Sequence, residues 1–321
     1  MPMPQQPYQQ MPYIEEDEID LRELFSTIWK NKFKIIFLSI LITSLALIYA
    51  LTKANSYSSQ SILILKEQGK PSLGGGAAAL ASMAGISLGG GGGGIDIGAL
   101  FKNLIDDYAF TKDIIQRYQL DSKLSDEALE KHRIYVLNGR EMKQDIASFF
   151  KGEKEEKDAD EVRFETFKKL KDIISTSTDK ESGAITLSAT LEDRALAQEL
   201  VNIYLKEMSE YIKKLDLKEI DEQVAYYESE LSSTSNLDLK SNISELLSAL
   251  VKKKVLSQAG EYYMVKQLTK PEISYIKDKT KPKRGLIIIV AFITSLILGI
   301  FMIFFGEFLK SSKERKSNLS F

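Results

Sequence analysis

The chain has 321 residues, of which 44% are hydrophobic and 27% are charged, and its formal net charge is -2. A mean hydropathy of -0.15 excludes a transporter with many spans, because such a protein needs most of its length in apolar helices. The near-neutral charge gives no argument for binding nucleic acid. The lack of cysteine excludes a disulfide framework, a thiolate nucleophile and a zinc site with cysteine ligands.

Residues 1–34 combine a polar tail with an amphipathic segment. The first 13 residues are rich in proline and glutamine, which predicts a disordered tail. Asp20 and Glu23 have the spacing of a capping box, so a helix is expected to begin there. Apolar residues then recur at helical spacing up to Trp29, and three lysines follow within five residues. We expect this helix to lie on the cytoplasmic membrane surface.

Residues 35–51 form the first stretch that is apolar enough to cross a bilayer. Their number is at the lower end of the range that a transmembrane helix requires. No cleavage site of the A-x-A type follows, so we expect an uncleaved anchor rather than a signal peptide.

The following segment mixes strand and helix patterns. Residues 57–65 predict a strand, and residues 173–189 predict two strands around a polar turn. A glycine-rich insert at 71–98 is open to two interpretations, a flexible loop or a mobile apolar surface that meets lipid or a partner subunit. We expect residues of about 53–191 and 259–284 to form a unit that mixes strands and helices.

Residues from about 192 to 258 carry the clearest helical pattern. A polar turn at 232–236 separates two halves with heptad spacing, which predicts an antiparallel hairpin and a coiled-coil seam. Forty helical residues would extend about 60 Å. So long an apolar stripe needs a partner, either the other arm of the hairpin or a neighbouring subunit, and we expect self-association into a homo-oligomer. The residues expected to mediate oligomerisation and length control are Leu217, Ile220, Val224, Tyr227 and Leu231.

The approach to the second apolar stretch contains Pro271 and Pro282, which stop helices and predict a semi-rigid connection. Residues 285–306 then run without a charge and would measure about 33 Å as a helix, enough for a hydrocarbon core of roughly 30 Å. This stretch predicts a second transmembrane helix. Its small residues are spaced for close helix packing, and they are Ser295, Gly299 and Gly306.

Two spans place both termini on the same side of the membrane. The basic residues around the spans give a mixed signal, because lysines also precede the second span. The first span usually sets the orientation, and long loops translocate largely regardless of charge. We therefore expect the head, the tail at 307–321 and both termini in the cytoplasm, and residues 52–284 on the other side.

The sequence contains no arrangement that supports catalysis. It has a single histidine and no cluster with the spacing of metal ligands. We therefore expect a protein that is not an enzyme, has no catalytic residues, and binds no metal or cofactor.

The order of these features resembles that of the polysaccharide co-polymerases, the Wzz-type chain length determinants. Four segments carry the resemblance: IDLRELFSTIWKNKFKI, ALASMAG, GAITLSATLEDRALAQELVNIYL and KPEISYIKDKTKPKRGLI. The resemblance implies an α+β membrane protein whose two transmembrane helices flank a periplasmic α/β base with a long helical hairpin. It also implies the bacterial inner membrane as the location.

The resemblance further implies a ring-like homo-oligomer that sets the modal length of a lipid-linked surface polysaccharide. The oligomer is expected to scaffold the membrane polymerase, with the O-antigen of lipopolysaccharide as the product. Related proteins carry a tyrosine kinase, but no Walker-type Gly-Lys-Ser/Thr is present here. Two alternatives stay open: an adaptor for exopolysaccharide or capsule export that works with a separate kinase, and a two-span membrane sensor.

Overall fold

A computed structural model describes residues 21–66, 96–137 and 158–318 of the chain, with side chains from residue 25 to 309. The predicted disordered tail, the capping residue Asp20 and most of the glycine-rich insert lie outside the described residues. The chain divides into a terminal unit, Met1–Leu51 with Lys283–Phe321, and a central unit, Thr52–Pro282.

The terminal unit is helical. Its described elements are α1 (Leu21–Lys30), α2 (Lys32–Thr52) and a long C-terminal helix (Arg284–Asn318). Two segments of these helices, Lys32–Thr52 and Arg284–Leu309, are long and apolar enough to cross a membrane, judged by length and composition alone. Most of their large apolar side chains are exposed. The predicted apolar helix near each end of the chain is therefore confirmed.

The central unit contains an antiparallel sheet of four strands in the order β2-β3-β1-β4. The strands are β1 (Tyr57–Leu65), β2 (Ile174–Thr178), β3 (Ile185–Leu191) and β4 (Val265–Thr269). Side chains of β3 alternate between buried and half-buried, as expected for a sheet with one face on a core. Strands β1 and β2 lie within the segments that predict strands, and β3 begins in the second of these segments and extends two residues beyond it. Strand β4 occupies the segment interpreted only as an approach to the membrane.

Short helices cover part of the core. They are α3 (Ile97–Asp106), α4 (Tyr108–Tyr118), α5 (Leu120–Lys123), α6 (Asp126–Glu130) and α7 (Ala159–Ile173). Asp107 ends α3 and begins α4, where its carboxylate accepts hydrogen bonds from the amides of Ala109 and Phe110. Such capping satisfies amides that have no partner within the helix, and it allows two helices to follow each other with a sharp turn.

The longest helix of the central unit, α8 (Arg194–Ser233), belongs partly to the base. Its first half packs on β1 and β3, and its second half packs on α9 (Leu237–Gln258). The hairpin was expected from about residue 192, but the first four turns of α8 are covered by the sheet and the short helices. The reason is the apolar face of these turns, whose buried residues are Leu196, Ala197, Leu200, Val201, Tyr204, Leu205 and Met208.

A buried carboxylate joins α4 to α8. Glu207 is only 7% exposed, and it accepts hydrogen bonds from the Arg117 guanidinium and, at 2.7 Å, from the Tyr118 hydroxyl. A buried charge needs such partners, because an unpaired one would destabilise the fold. Burial and the hydrogen bond to Glu207 raise the pKa of Tyr118 to about 12.

We expect Tyr118→Phe to lower the free energy of unfolding by about 1.5–3 kcal/mol at pH 8, because it removes a hydrogen bond to a charged group. A phenol with a raised pKa stabilises the fold below pH 10, and this contribution is lost as the pH rises toward 12. The difference between wild type and variant should therefore shrink over that range. Urea unfolding of the full chain in detergent, followed by circular dichroism, measures it.

The control for this comparison is Tyr226→Phe, which removes an exposed hydroxyl from the second half of α8. It should leave the free energy of unfolding close to that of the wild type. A pH-independent difference between Tyr118→Phe and wild type would contradict the predicted role of the phenol.

Candidate functional site

The second half of α8 and helix α9 form an antiparallel hairpin. Two ion pairs link the arms: Lys253 lies 3.0 Å from Asp216, and Lys254 lies 2.6 Å from Asp221. With the turn at residues 234–236, these pairs place Ile220 close to the level of Leu250. The arm of α8 beyond residue 212 is about 33 Å long at 1.5 Å per residue.

The five predicted seam residues lie on the second half of α8, but they are not equally covered. Ile220 is buried, whereas the other four, Leu217, Val224, Tyr227 and Leu231, are half-buried. On α9 the buried residues are Ile243, Leu246, Ala249 and Leu250. Ile220 is therefore placed within the packing of the hairpin itself, and the remaining seam residues keep part of their surface accessible.

Leu217 also borders an open groove along α8. The groove is lined mainly by charged side chains, among them Lys214, Lys218 and Asp221. An apolar side chain surrounded by charged residues of both signs is typical of the border of a protein–protein interface. The structure itself does not contain a second subunit, so the role of the seam in oligomerisation stays a prediction.

The outer face of the hairpin carries further apolar side chains that sequence reasoning did not single out. They are exposed and lie on both arms: Leu215, Tyr226, Val251, Val255 and Leu256. Val251 and Val255 are one helical turn apart on α9, so they lie on the same face of the helix. This spacing is only a weak sequence signal for a contact surface, because neither residue occupies a heptad position of the predicted seam.

The chain leaves the hairpin through a tightly held loop. The Tyr263 hydroxyl donates a hydrogen bond to Asp216, and the Tyr263 amide donates to Ser209 at 2.5 Å. Gly260 has φ +98, and a Cβ built there would lie 2.6 Å from the Lys66 ammonium. The Lys66 ammonium ends a flexible side chain and can move, so it is the positive φ that favours glycine at this position. These contacts fix the root of α9 against the middle of α8.

The predicted proline segment runs beside the chain that follows α2. Pro271 is buried, and its carbonyl accepts a hydrogen bond from the Gln198 side chain at 2.9 Å. Pro282 is half-buried and follows an isolated antiparallel bridge between Ser56 and Lys281. The two stretches of chain that lead to the candidate spans are thus joined by backbone hydrogen bonds of 3.0 and 3.2 Å between these residues.

The candidate spans pack antiparallel at small residues. A Cβ built on Gly299 would lie 3.2 Å from the Cγ2 atom of Ile35, and the Arg284 guanidinium donates to the Ala50 carbonyl at 3.0 Å. This register places Ser295 at the level of Ser39, and both are almost fully buried. Nothing lies within 4 Å of a Cβ built on Gly306. The structure therefore brings Ser295 and Gly299, but not Gly306, to the first span.

The described residues contain no group of three or more His, Cys, Asp or Glu side chains that could hold a metal ion. Among the charged clusters of the central unit, those at Glu207 and at Asp216 each link two helices or a helix and a loop.

Residues 17–116 match the family model described as Wzz, chain length determinant protein. The resemblance to the Wzz-type family is confirmed. The match begins before α1 and ends within α4, so it includes the first candidate span and strand β1. No curated protein matches the chain.

The chain is also similar to a solved structure titled "full-length bacterial polysaccharide co-polymerase". The two are 15% identical over 92% of this chain and 99% of that one, with a TM-score of 0.33.

We expect Gly299→Leu to separate the two candidate spans, because the added side chain would meet Ile35. The chain lacks cysteine, so a Ser39→Cys/Ser295→Cys pair can report on the contact without a background thiol. Oxidation of this double variant in membranes should give an intramolecular disulfide. Gly299→Leu should strongly reduce its yield, as measured by mobility on non-reducing gels.

Gly306→Leu is the matched control, since it adds the same side chain where nothing lies within 4 Å. Equal disulfide yields with Gly299→Leu and Gly306→Leu would refute the proposed close contact at Gly299.

Proposed function

We propose that this protein is a Wzz-type co-polymerase that controls the chain length of a surface polysaccharide. The match of residues 17–116 to the chain length determinant family carries the proposal. The second support is the helical hairpin, which is held at its root by Asp216 and Tyr263 and offers a rigid arm to a partner.

The proposed location is the bacterial inner membrane, with α2 and the C-terminal helix as spans. Both termini are cytoplasmic, and residues 52–284 lie in the periplasm. The exposed apolar side chains of the two helices support this topology, because lipid would cover them. Trp29 supports it as well, since Lys32 lies 4.4 Å from its ring at the start of the first span, as is typical of a headgroup boundary.

The proposed assembly is a homo-oligomer that scaffolds the membrane polymerase and its lipid-linked glycan, the O-antigen of lipopolysaccharide. The exposed apolar residues on both arms of the hairpin support association between subunits. The half-buried seam residues would add to the same contact. In this mechanism the protein performs no chemistry, and the length of the hairpin limits how long a growing glycan stays engaged with the polymerase.

Shortening the hairpin in register tests this mechanism. Removal of residues 221–227 together with 243–249 deletes one heptad from each arm and shortens the hairpin by about 10 Å. Leu231 then takes the position of Val224, and Glu228 takes that of Asp221 opposite Lys254. We expect a single modal length that is shorter than in the wild type, measured on lipopolysaccharide gels from a complemented deletion strain.

Removal of 221–227 alone is the matched control, because it leaves the arms unequal and should scatter the glycan lengths. An unchanged ladder with the paired deletion would exclude hairpin length as the determinant. A deletion strain with an altered capsule and unchanged lipopolysaccharide would support the export adaptor instead.

Charged substitutions on the hairpin test the oligomer. Leu217→Asp and Val255→Asp place a carboxylate on accessible apolar positions, so we expect each to dissociate the oligomer while the helical content is retained. Ile220→Asp places a charge inside the hairpin and should unfold its arms. Light scattering after gel filtration in detergent measures the mass, and circular dichroism measures the helix content.

The control is Ser248→Asp, which adds the same carboxylate at an exposed polar position of α9. It should leave the mass of the complex unchanged. Retention of the oligomer by both Leu217→Asp and Val255→Asp would place the subunit contact elsewhere.

A further inference from the structure

Two segments of the central unit expose apolar side chains, and one of them, residues 273–281, directly precedes the second candidate span. In residues 273–281 these side chains are Ile273, Tyr275 and Ile276, with Tyr275 65% exposed. In residues 134–137 they are Ile134, Val136 and Leu137, with Val136 58% exposed. We call the two segments together the rim. Exposed clusters of apolar side chains usually mark a surface that a membrane or another molecule covers.

Hydrogen bonds attach both rim segments to the chain that leaves the first span. The amide of Asn55 donates to the Ile134 carbonyl at 2.8 Å. The next residue, Ser56, forms the bridge to Lys281. The Ser274 hydroxyl also donates to the carbonyl of Ser58. Each rim segment is therefore tied to residues that directly follow α2.

The distance along the chain from these ties to the proposed spans is short. Asn55 and Ser56 follow the end of α2 at Thr52 by three and four residues, and Lys281 precedes Arg284 by three. Extended chain covers at most about 3.5 Å per residue, so the ties at Asn55 and Ser56 lie within roughly 14 Å of a span end. The short connections therefore allow the tied residues to reach the surface of a bilayer that these helices cross.

The charge of the rim indicates the kind of surface that it fits. Residues 277–281 contain the exposed residues Lys277, Lys279 and Lys281 and a single acidic residue, Asp278. Lysines next to exposed aromatic and aliphatic side chains are the pattern of segments that lie in the headgroup layer of anionic lipid. A second subunit would cover the apolar side chains but would gain nothing from three neighbouring ammonium groups unless it presented acidic residues.

We propose that the rim, residues 134–137 and 273–281, rests on the bilayer and binds anionic phospholipid headgroups. The apolar side chains enter the boundary of the acyl chains, and the three lysines contact the phosphates. This contact would hold the base on the membrane and set the height at which the hairpin begins. The inference rests on the proposed span topology.

Single tryptophans placed in the full chain test the apolar part of the inference. In a Trp29→Phe background, which removes the one native tryptophan, Tyr275→Trp should lose fluorescence in nanodiscs that contain a headgroup-spin-labelled lipid. Tyr226→Trp on the hairpin is the matched control, since Tyr226 is similarly exposed, and it should keep its fluorescence. Equal fluorescence loss at the two positions, or none at Tyr275→Trp, would overturn the inference.

Two lipid compositions test the charged part. Quenching of Tyr275→Trp should be stronger in discs of phosphatidylcholine with phosphatidylglycerol than in phosphatidylcholine alone. Exchange of Lys277, Lys279 and Lys281 for Gln should abolish this difference, whereas the same exchange at Lys213, Lys214 and Lys218 of the hairpin should not. If phosphatidylglycerol has no effect while inorganic phosphate alone changes the fluorescence of Tyr275→Trp, the lysines form a site for free phosphate and the lipid assignment is wrong.

A third tryptophan separates this inference from the proposed topology. Ile293→Trp lies within the second candidate span and should be quenched by lipids that are brominated deep in the acyl chain. If Ile293→Trp is quenched and Tyr275→Trp is not, the rim inference fails while the span topology stands. If neither is quenched, the topology fails, and the rim inference fails with it.

Discussion

The packing of the first half of α8 on β1 and β3 is the contact on which the other parts of the central unit depend. Side chains such as Leu200, Val201 and Leu205 are fully covered there, and burying each stabilises the fold by about 1.5–3 kcal/mol. Because α8 continues without a break, the same contact also fixes the direction of the hairpin. Glu207 adds a polar link to α4 near the point where α8 leaves the sheet. One helix therefore couples the base to the arm that is proposed to act on the polysaccharide.

The chain enters and leaves the central unit at neighbouring points, and this arrangement constrains how the protein can be anchored. The bridge between Ser56 and Lys281 holds the entering and leaving segments side by side. In the terminal unit, the Arg284 guanidinium donates a hydrogen bond to the carbonyl of Ala50 at the C-terminal end of α2. The helix dipole favours a cation at this end. Close packing at Gly299 and Ile35 continues the same pairing. In each unit, the segment from the N-terminal side of the chain is therefore in contact with the segment from the C-terminal side.

Most elements could be predicted from the sequence because their signals are local. Strand β1 and the hairpin turn follow from residue periodicity, and the resemblance to the Wzz family rested on the order of such local features. Strand β4 was missed because its five residues include Lys266 and Gln267, and its pairing with β1 depends on backbone contacts across about 200 residues. The bridge at Ser56 has no side-chain signature at all. Of the seam, the sequence indicated the apolar spacing but not that Ile220 alone would be buried, since coverage depends on the register of α9.

Exposed apolar side chains occur in three settings in this chain, and their neighbours distinguish them. In the two candidate spans, such as at Ile297, the neighbours are apolar on all sides, as suits the interior of a bilayer. On the hairpin, Val255 follows three lysines, of which Lys253 and Lys254 are paired with carboxylates of α8, and such a neutralised surface suits contact with another protein. On the rim, Tyr275 is followed by lysines with a single carboxylate among them. The hydrophobic effect therefore favours covering all three surfaces. In the proposed arrangement, the charge of the neighbouring residues determines whether lipid tails, another subunit or lipid headgroups cover each surface.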